Sequence, residues 1–121
     1  MRASVGARNW MMALYLYEAS YTAESVAAQI KNPSDRIAAV TASIGASLGI
    51  KLLAGGYSFG DHDVVAIFDA PDDEAVAAFA LVLASGGALR SAKTTKLLDG
   101  HQWVSALTKA QHASPSYKPA R

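Results

Sequence analysis

Val64-Val65-Ala66-Ile67-Phe68 places five apolar residues in succession, and its reading decides the architecture. A strand in an antiparallel sheet with one wet face alternates apolar and polar residues; this one is apolar on both sides. Gly60-Asp61 ahead of it is a turn signal, so the strand reads as His62–Asp69. Trp10-Met11-Met12-Ala13-Leu14-Tyr15-Leu16-Tyr17 behaves alike and reads as the first strand. It sets Trp10, Met12, Leu14 and Leu16 on one face and Met11, Ala13, Tyr15 and Tyr17 on the other. Such a sheet exposes an apolar patch on the order of several hundred Å² unless something covers it. Two copies clasped sheet to sheet are the simplest cover, so a homodimer, or a higher oligomer, is expected. The alternative cover is Trp103 and Leu107 of the last helix, folded back over the same face.

Outward from these strands the chain supplies helices with recognisable ends. Thr22 is placed to cap a helix over Ala23–Lys31. In Asn32-Pro33-Ser34-Asp35, Asn32 offers a cap, Pro33 a first helical position and Asp35 an acid in the first turn. Ile37, Val40, Ile44 and Leu48 then form one helical stripe that Gly49 ends. Ile50–Phe59 reads as the second strand, weakened by Gly55-Gly56. Pro71-Asp72-Asp73-Glu74 opens a helix with the stripe Val76, Phe79, Ala80 and Leu83, stopped by Gly86-Gly87. Leu89–Leu98 is the fourth strand, and Asp99 with Gln102 forms a capping box for a final helix. The order is β-α-β-β-α-β plus a terminal helix: an α+β, ferredoxin-like fold with a four-stranded antiparallel sheet.

The 121 residues suit one domain, drawn at residues 10–112, with residues 1–9 and 113–121 expected as flexible tails. Met11 and Met12 offer alternative starts. No cysteine is present, which excludes disulfides, thiolate metal sites and a cysteine nucleophile. Between Trp10 and His112 lie seven Lys/Arg against ten Asp/Glu, a net charge of −3, which argues against a nucleic-acid partner. The N-terminus imitates a signal peptide, but Glu18 and two tyrosines spoil the apolar segment, so the cytoplasm is the expected compartment. No run reaches the ~18–20 apolar residues of a membrane span.

Several stretches resemble the GYD-domain family of small bacterial proteins. They are Ala13-Leu14-Tyr15-Leu16-Tyr17, Ser20-Tyr21-Thr22, Lys31-Asn32-Pro33-Ser34-Asp35-Arg36, Phe59-Gly60-Asp61-His62-Asp63-Val64-Val65, Ala70-Pro71-Asp72, Ser85-Gly86-Gly87-Ala88 and Ala92-Lys93-Thr94-Thr95. They run in order over roughly residues 11–110. In the G-x-Y-D signature Gly60 and Asp63 are kept, while His62 stands where tyrosine is usual. The resemblance implies the dimeric αβ-barrel form of the fold and transfers no reaction. More distantly, and at the level of fold alone, it extends to barrels that act as small monooxygenases, isomerases or ligand sensors.

His62, between Asp61 and Asp63, is the candidate catalytic residue: an imidazole beside carboxylates can serve as a general base near neutral pH. Strand parity would put it on one face with Val64, Ala66 and Phe68. Tyr15, Tyr17, Tyr57 and Phe59 fall opposite Leu14/Leu16 and Ile50/Leu52. If those aliphatics face the helices, the aromatics line the barrel or the dimer seam, a lining suited to a planar ligand. Arg90 is a candidate for holding a ligand carboxylate, although lysines on strand 4 also read as edge protection. Asp-His-Asp is no metal set by itself, and no nucleotide motif occurs, so neither metal nor cofactor is called for. The leading expectation is a homodimeric barrel binding a small apolar or aromatic molecule between sheet and helices. A cofactor-independent monooxygenase or isomerase and a structural module are the alternatives.

Overall fold

The computed structural model describes residues 12–121 of the chain. The elements are β1 (Ala13–Tyr21), α1 (Ala23–Lys31), α2 (Arg36–Val40) continuing through a π-helical turn (Thr41–Gly45), β2 (Lys51–Tyr57), β3 (Val64–Ala70), α3 (Asp73–Ser85), β4 (Leu89–Leu97) and α4 (Gly100–Ala113). The sheet order is β2-β3-β1-β4 with every neighbouring pair antiparallel, the ferredoxin-like α+β arrangement expected.

Local chemistry explains most element ends. Thr22 Oγ1 accepts the Ser25 N–H at 3.1 Å and starts α1 at the residue expected. The cap of α2 is Asp35, not Asn32: its carboxylate accepts the Ala38 N–H, while Asn32 closes α1. Asn32 is instead the closing cap of α1, its N–H donating to the Ala28 carbonyl at 2.9 Å, and α2 begins only at Arg36. Asp99 and Gln102 form the reciprocal box that begins α4. A three-residue 3₁₀ turn, Ser114–Ser116, follows α4.

All four strands differ in extent from the sequence reading: β2 is shorter than Ile50–Phe59 at both ends, and β4 stops one residue early at Leu97. β1 runs on to Tyr21, because Ser20 and Tyr21 still pair with Ser91 and Leu89 of β4; Trp10 and Met11 lie outside the described residues. β3 begins only at Val64, and the segment before it is pinned sideways. There the Asp63 N–H donates to the Ala19 carbonyl at 2.8 Å, and the Asp63 carboxylate accepts the Tyr21 N–H at 2.8 Å.

The faces are assigned by what the helices meet. Tyr15, Tyr17 and Ala19 of β1 and Val64, Ala66, Phe68 and Ala70 of β3 are buried under the helical layer, together with Val76 and Phe79 of α3. Tyr17, Phe68 and Phe79 form a ring cluster with centroids 5.6–6.5 Å apart, and Tyr15 stacks on Phe68 at 5.8 Å. Offset and edge-on pairs of this kind are worth ~0.5–1.5 kcal/mol each beyond area. The condition on the aliphatics is not met: the tyrosines face the helices, and Leu14, Leu16, Val65 and Ile67 face the opposite side. No described helix packs across that opposite side; α4 does not fold back, and Trp103, Val104 and Leu107 stay more than half exposed.

Candidate functional site

Between the sheet and the helices on its β2 side lies a chamber of about 620 Å³. Its floor is Tyr17, Ala19, Val64, Ala66 and Phe68, and α3 closes one flank with Phe79 and Leu83. Ile37, Val40 and Ile44, the helical stripe legible in the sequence, form a second flank, with Thr41 and Ser43 from the π turn. α1 presents Ser25, Gln29 and Asn32 as a polar third wall.

The volume has two causes. Ala19 and Ala66 sit at the middle of the floor, where larger side chains would reach the helices. Meanwhile α1 and α2 contribute no fully buried residue, so this part of the helical layer stands off the sheet. The π turn is a single irregular turn set in the chamber wall, the location such turns favour at functional sites.

The floor carries one unsatisfied group. The Tyr17 hydroxyl is buried and has no hydrogen-bond partner among the described residues. Burial, and then the neighbouring Tyr21, raise its pKa above the ordinary tyrosine value. Tyr21 is raised as well, chiefly by burial and by Tyr57, with Arg36 opposing. Neither is suited to ionise near neutrality; both act as neutral hydrogen-bonding groups.

A second, smaller hollow of about 290 Å³ lies between β4 and α3, bordered by Tyr15, Asp73, Thr94 and Lys96. The Tyr15 hydroxyl donates to Asp73 Oδ1, and the Lys96 ammonium lies 3.0 Å from the same oxygen and 5.9 Å above the Tyr15 ring. Burial, followed by the Asp73 carboxylate, pushes Tyr15 up to about 12. These groups satisfy one another and brace α3 on the sheet edge.

The residues singled out in the sequence are thus dispersed. Tyr17 lines the chamber and Tyr15 the smaller hollow. Tyr57 stands outside the chamber wall; its hydroxyl donates to Asp35 at 2.6 Å and accepts the Ile37 N–H at 2.8 Å. That bond to Asp35 leads the causes that lower its carboxyl pKa. Phe59 is fully exposed, and Arg90 is exposed at the start of β4. His62 does not share the face of Val64, Ala66 and Phe68. It lies before β3, with Nε2 3.6 Å from Glu18, whose register partners Val65 and Lys93 belong to the open face. Its Nδ1 is buried without a partner. Among the described residues no three His, Asp or Glu side chains converge as a metal site. Tyr21, Arg36, Phe68 and Phe79 are chamber residues that the sequence reading missed. The available signal was the pairing of small Ala19 and Ala66 with aromatics at the same strand parity.

The fold and chamber define a ferredoxin-like α+β protein with a cavity on the helical side of its sheet. The chain belongs to the GYD domain family, whose model matches residues 15–107. Among solved structures it is similar to an uncharacterized NIPSNAP-like domain protein from Burkholderia xenovorans, with a TM-score of 0.45 and 14% identity. That likeness covers 93% of this chain and 92% of the other. No curated protein matches it. No described helix is long and apolar enough to cross a membrane.

Proposed function

We propose that this GYD-domain protein is a cytoplasmic homodimer in which each protomer binds a small, largely apolar molecule in its helix-side chamber. The carrying observation is a chamber of about 620 Å³ walled largely by Ile37, Val40, Ile44, Phe68, Phe79 and Leu83, with its polar side chains gathered on α1 and at the start of α2. Ligand sites are typically ~300–1,000 Å³, mostly apolar, with few polar groups. A guest of matching size would fill the volume. The dimer is supported by the sheet face that no described helix covers, where the partly exposed Leu14, Leu16, Val65 and Ile67 lie side by side on the two central strands. The oxygenase or isomerase alternative needs His62 at the chamber, and His62 is not part of its wall. The structural-module alternative needs a filled interior.

The test is fluorescence titration with the neutral dye N-phenyl-naphthylamine, together with native mass spectrometry of freshly purified protein. One equivalent of dye per chain is expected. Ala28→Trp, which drops an indole into the chamber from α1, should abolish dye binding while the protein still folds. Binding undiminished in that variant, or no binding by the native protein, would remove the reading.

A further inference from the structure

The chamber wall is chemically lopsided. Of all the residues that line it, Arg36 alone carries a charge. It stands at the polar end, near Asn32 and Ser34 and close enough to Tyr21 for its charge to act on that hydroxyl. Phe68 and Ile50 line the chamber farther along β3 and β2, beyond the Tyr57–Val64 pair. Two carboxylates near this polar end are already engaged. Asp35 takes the Tyr57 O–H and the Ala38 N–H, and Asp63 takes the Tyr21 N–H. No carboxylate among the described residues lies within ion-pair distance of the Arg36 guanidinium. A lone cation at the end of an apolar chamber is an unmatched half of a recognition pair.

We propose that the guest is an amphiphilic carboxylic acid, its apolar body against Phe68 and Phe79 and its carboxylate on Arg36. This rests on the chamber-binding reading and adds the ligand's class to it. A planar guanidinium matches a carboxylate through two parallel N–H···O bonds. A phosphate dianion would call for a second cation, and none lines the chamber. A purely hydrocarbon guest would leave the guanidinium unanswered.

The experiment is displacement of N-phenyl-naphthylamine by decanoate and by decanol, which share a chain and differ in head group. Decanoate should displace the dye at about one tenth the concentration that decanol needs, the weight of one charge-assisted hydrogen bond. Arg36→Leu, an exposed substitution that leaves the fold intact, should erase that preference without weakening decanol. Arg36→Lys should restore part of it, since an ammonium keeps the charge and loses the bidentate geometry. Equal displacement by acid and alcohol in the native protein overturns the proposal while leaving chamber binding standing. A preference that survives Arg36→Leu overturns it too, because the acid is then held elsewhere. Failure of the dye itself to bind removes the underlying reading and the proposal together.

Discussion

At the scale of single residues, Tyr17 and Tyr15 are neighbours on one strand face with opposite fortunes. Tyr17 buries a hydroxyl with no partner, whereas Tyr15 gives its proton to Asp73. An unsatisfied buried polar group costs ~1–3 kcal/mol. Tyr17→Phe keeps the ring packing on Phe68 and Phe79 and removes that group, so the ligand-free protein should melt about 4 °C higher or more. A calorimetric scan showing a lower melting temperature would mean that the hydroxyl has a partner in solution. Tyr15 gives a pH prediction instead. Its folded pKa of about 12 lies above the unfolded 10.0, so its contribution is complete below pH 10 and fades as pH climbs towards 12. Ultraviolet titration should show tyrosines ionising late, Tyr17 and Tyr21 among them, and Tyr15→Phe should delete the step near pH 12. Asp73 works in the other direction: held below 3.8, first by the Tyr15 O–H and then by Lys96, it loses its stabilising share as the solution is acidified below that value.

At the scale of elements, the irregular places are where one strand or helix must yield to another. β2 slips register between Leu52 and Ala54, and Gly55 just after the slip lies against β3. A Cβ there would fall 3.0 Å from the Val65 carbonyl oxygen and 3.1 Å from the Ala66 Cα, backbone atoms that cannot step aside. The adjacent Gly56 has nothing within 4 Å of such a Cβ. Gly55→Val should lower the melting temperature by about 5 °C or more, the reach of a ~1–3 kcal/mol overpacking penalty. Gly56→Val should cost less than that, because its side chain meets nothing within 4 Å in the protomer and only the surface shared with Val65. Thermal unfolding of the two variants side by side checks the pair. Elements like these divide according to how far their causes reach. α1 and the Asp99–Gln102 box were legible because a cap and the N–H it accepts are three residues apart. The cap of α2 lies three residues beyond the expected Asn32: Asn32 and Asp35 are both competent caps, and which one is used depends on where α1 stops, which neither side chain records. The faces of β1 were illegible from β1 itself: Leu14, Tyr15, Leu16 and Tyr17 are apolar on both sides. Phe79, about sixty residues along the chain, settles which side meets a helix. The chamber was harder still, because it is the space left where α1 and α2 stop short of Ala19 and Ala66.

At the scale of the whole molecule, the two surfaces of β3 carry different obligations, and one pair of substitutions separates them. Phe68 is 3% exposed and sits between Tyr15, Tyr17 and Phe79. Val65 is on the other surface, partly exposed, paired with Glu18 of β1 and Gly56 of β2. Phe68→Asp buries an unpaired carboxylate in the aromatic cluster and should prevent folding outright. Val65→Asp in an isolated protomer stays partly in water and outside the aromatic cluster, so a monomeric protein should tolerate it. In a dimer joined through this surface the same carboxylate becomes desolvated, and by symmetry it enters the interface twice. Light scattering should therefore report twice 12.6 kDa for the native protein and 12.6 kDa for folded Val65→Asp. Dye binding in the chamber should survive, because the chamber lies on the far side of the sheet from Val65. A Val65→Asp protein that stays dimeric with an unchanged melting temperature would place the contact between copies elsewhere. The exposed Trp103, Val104 and Leu107 of α4 are the next surface to examine in that event.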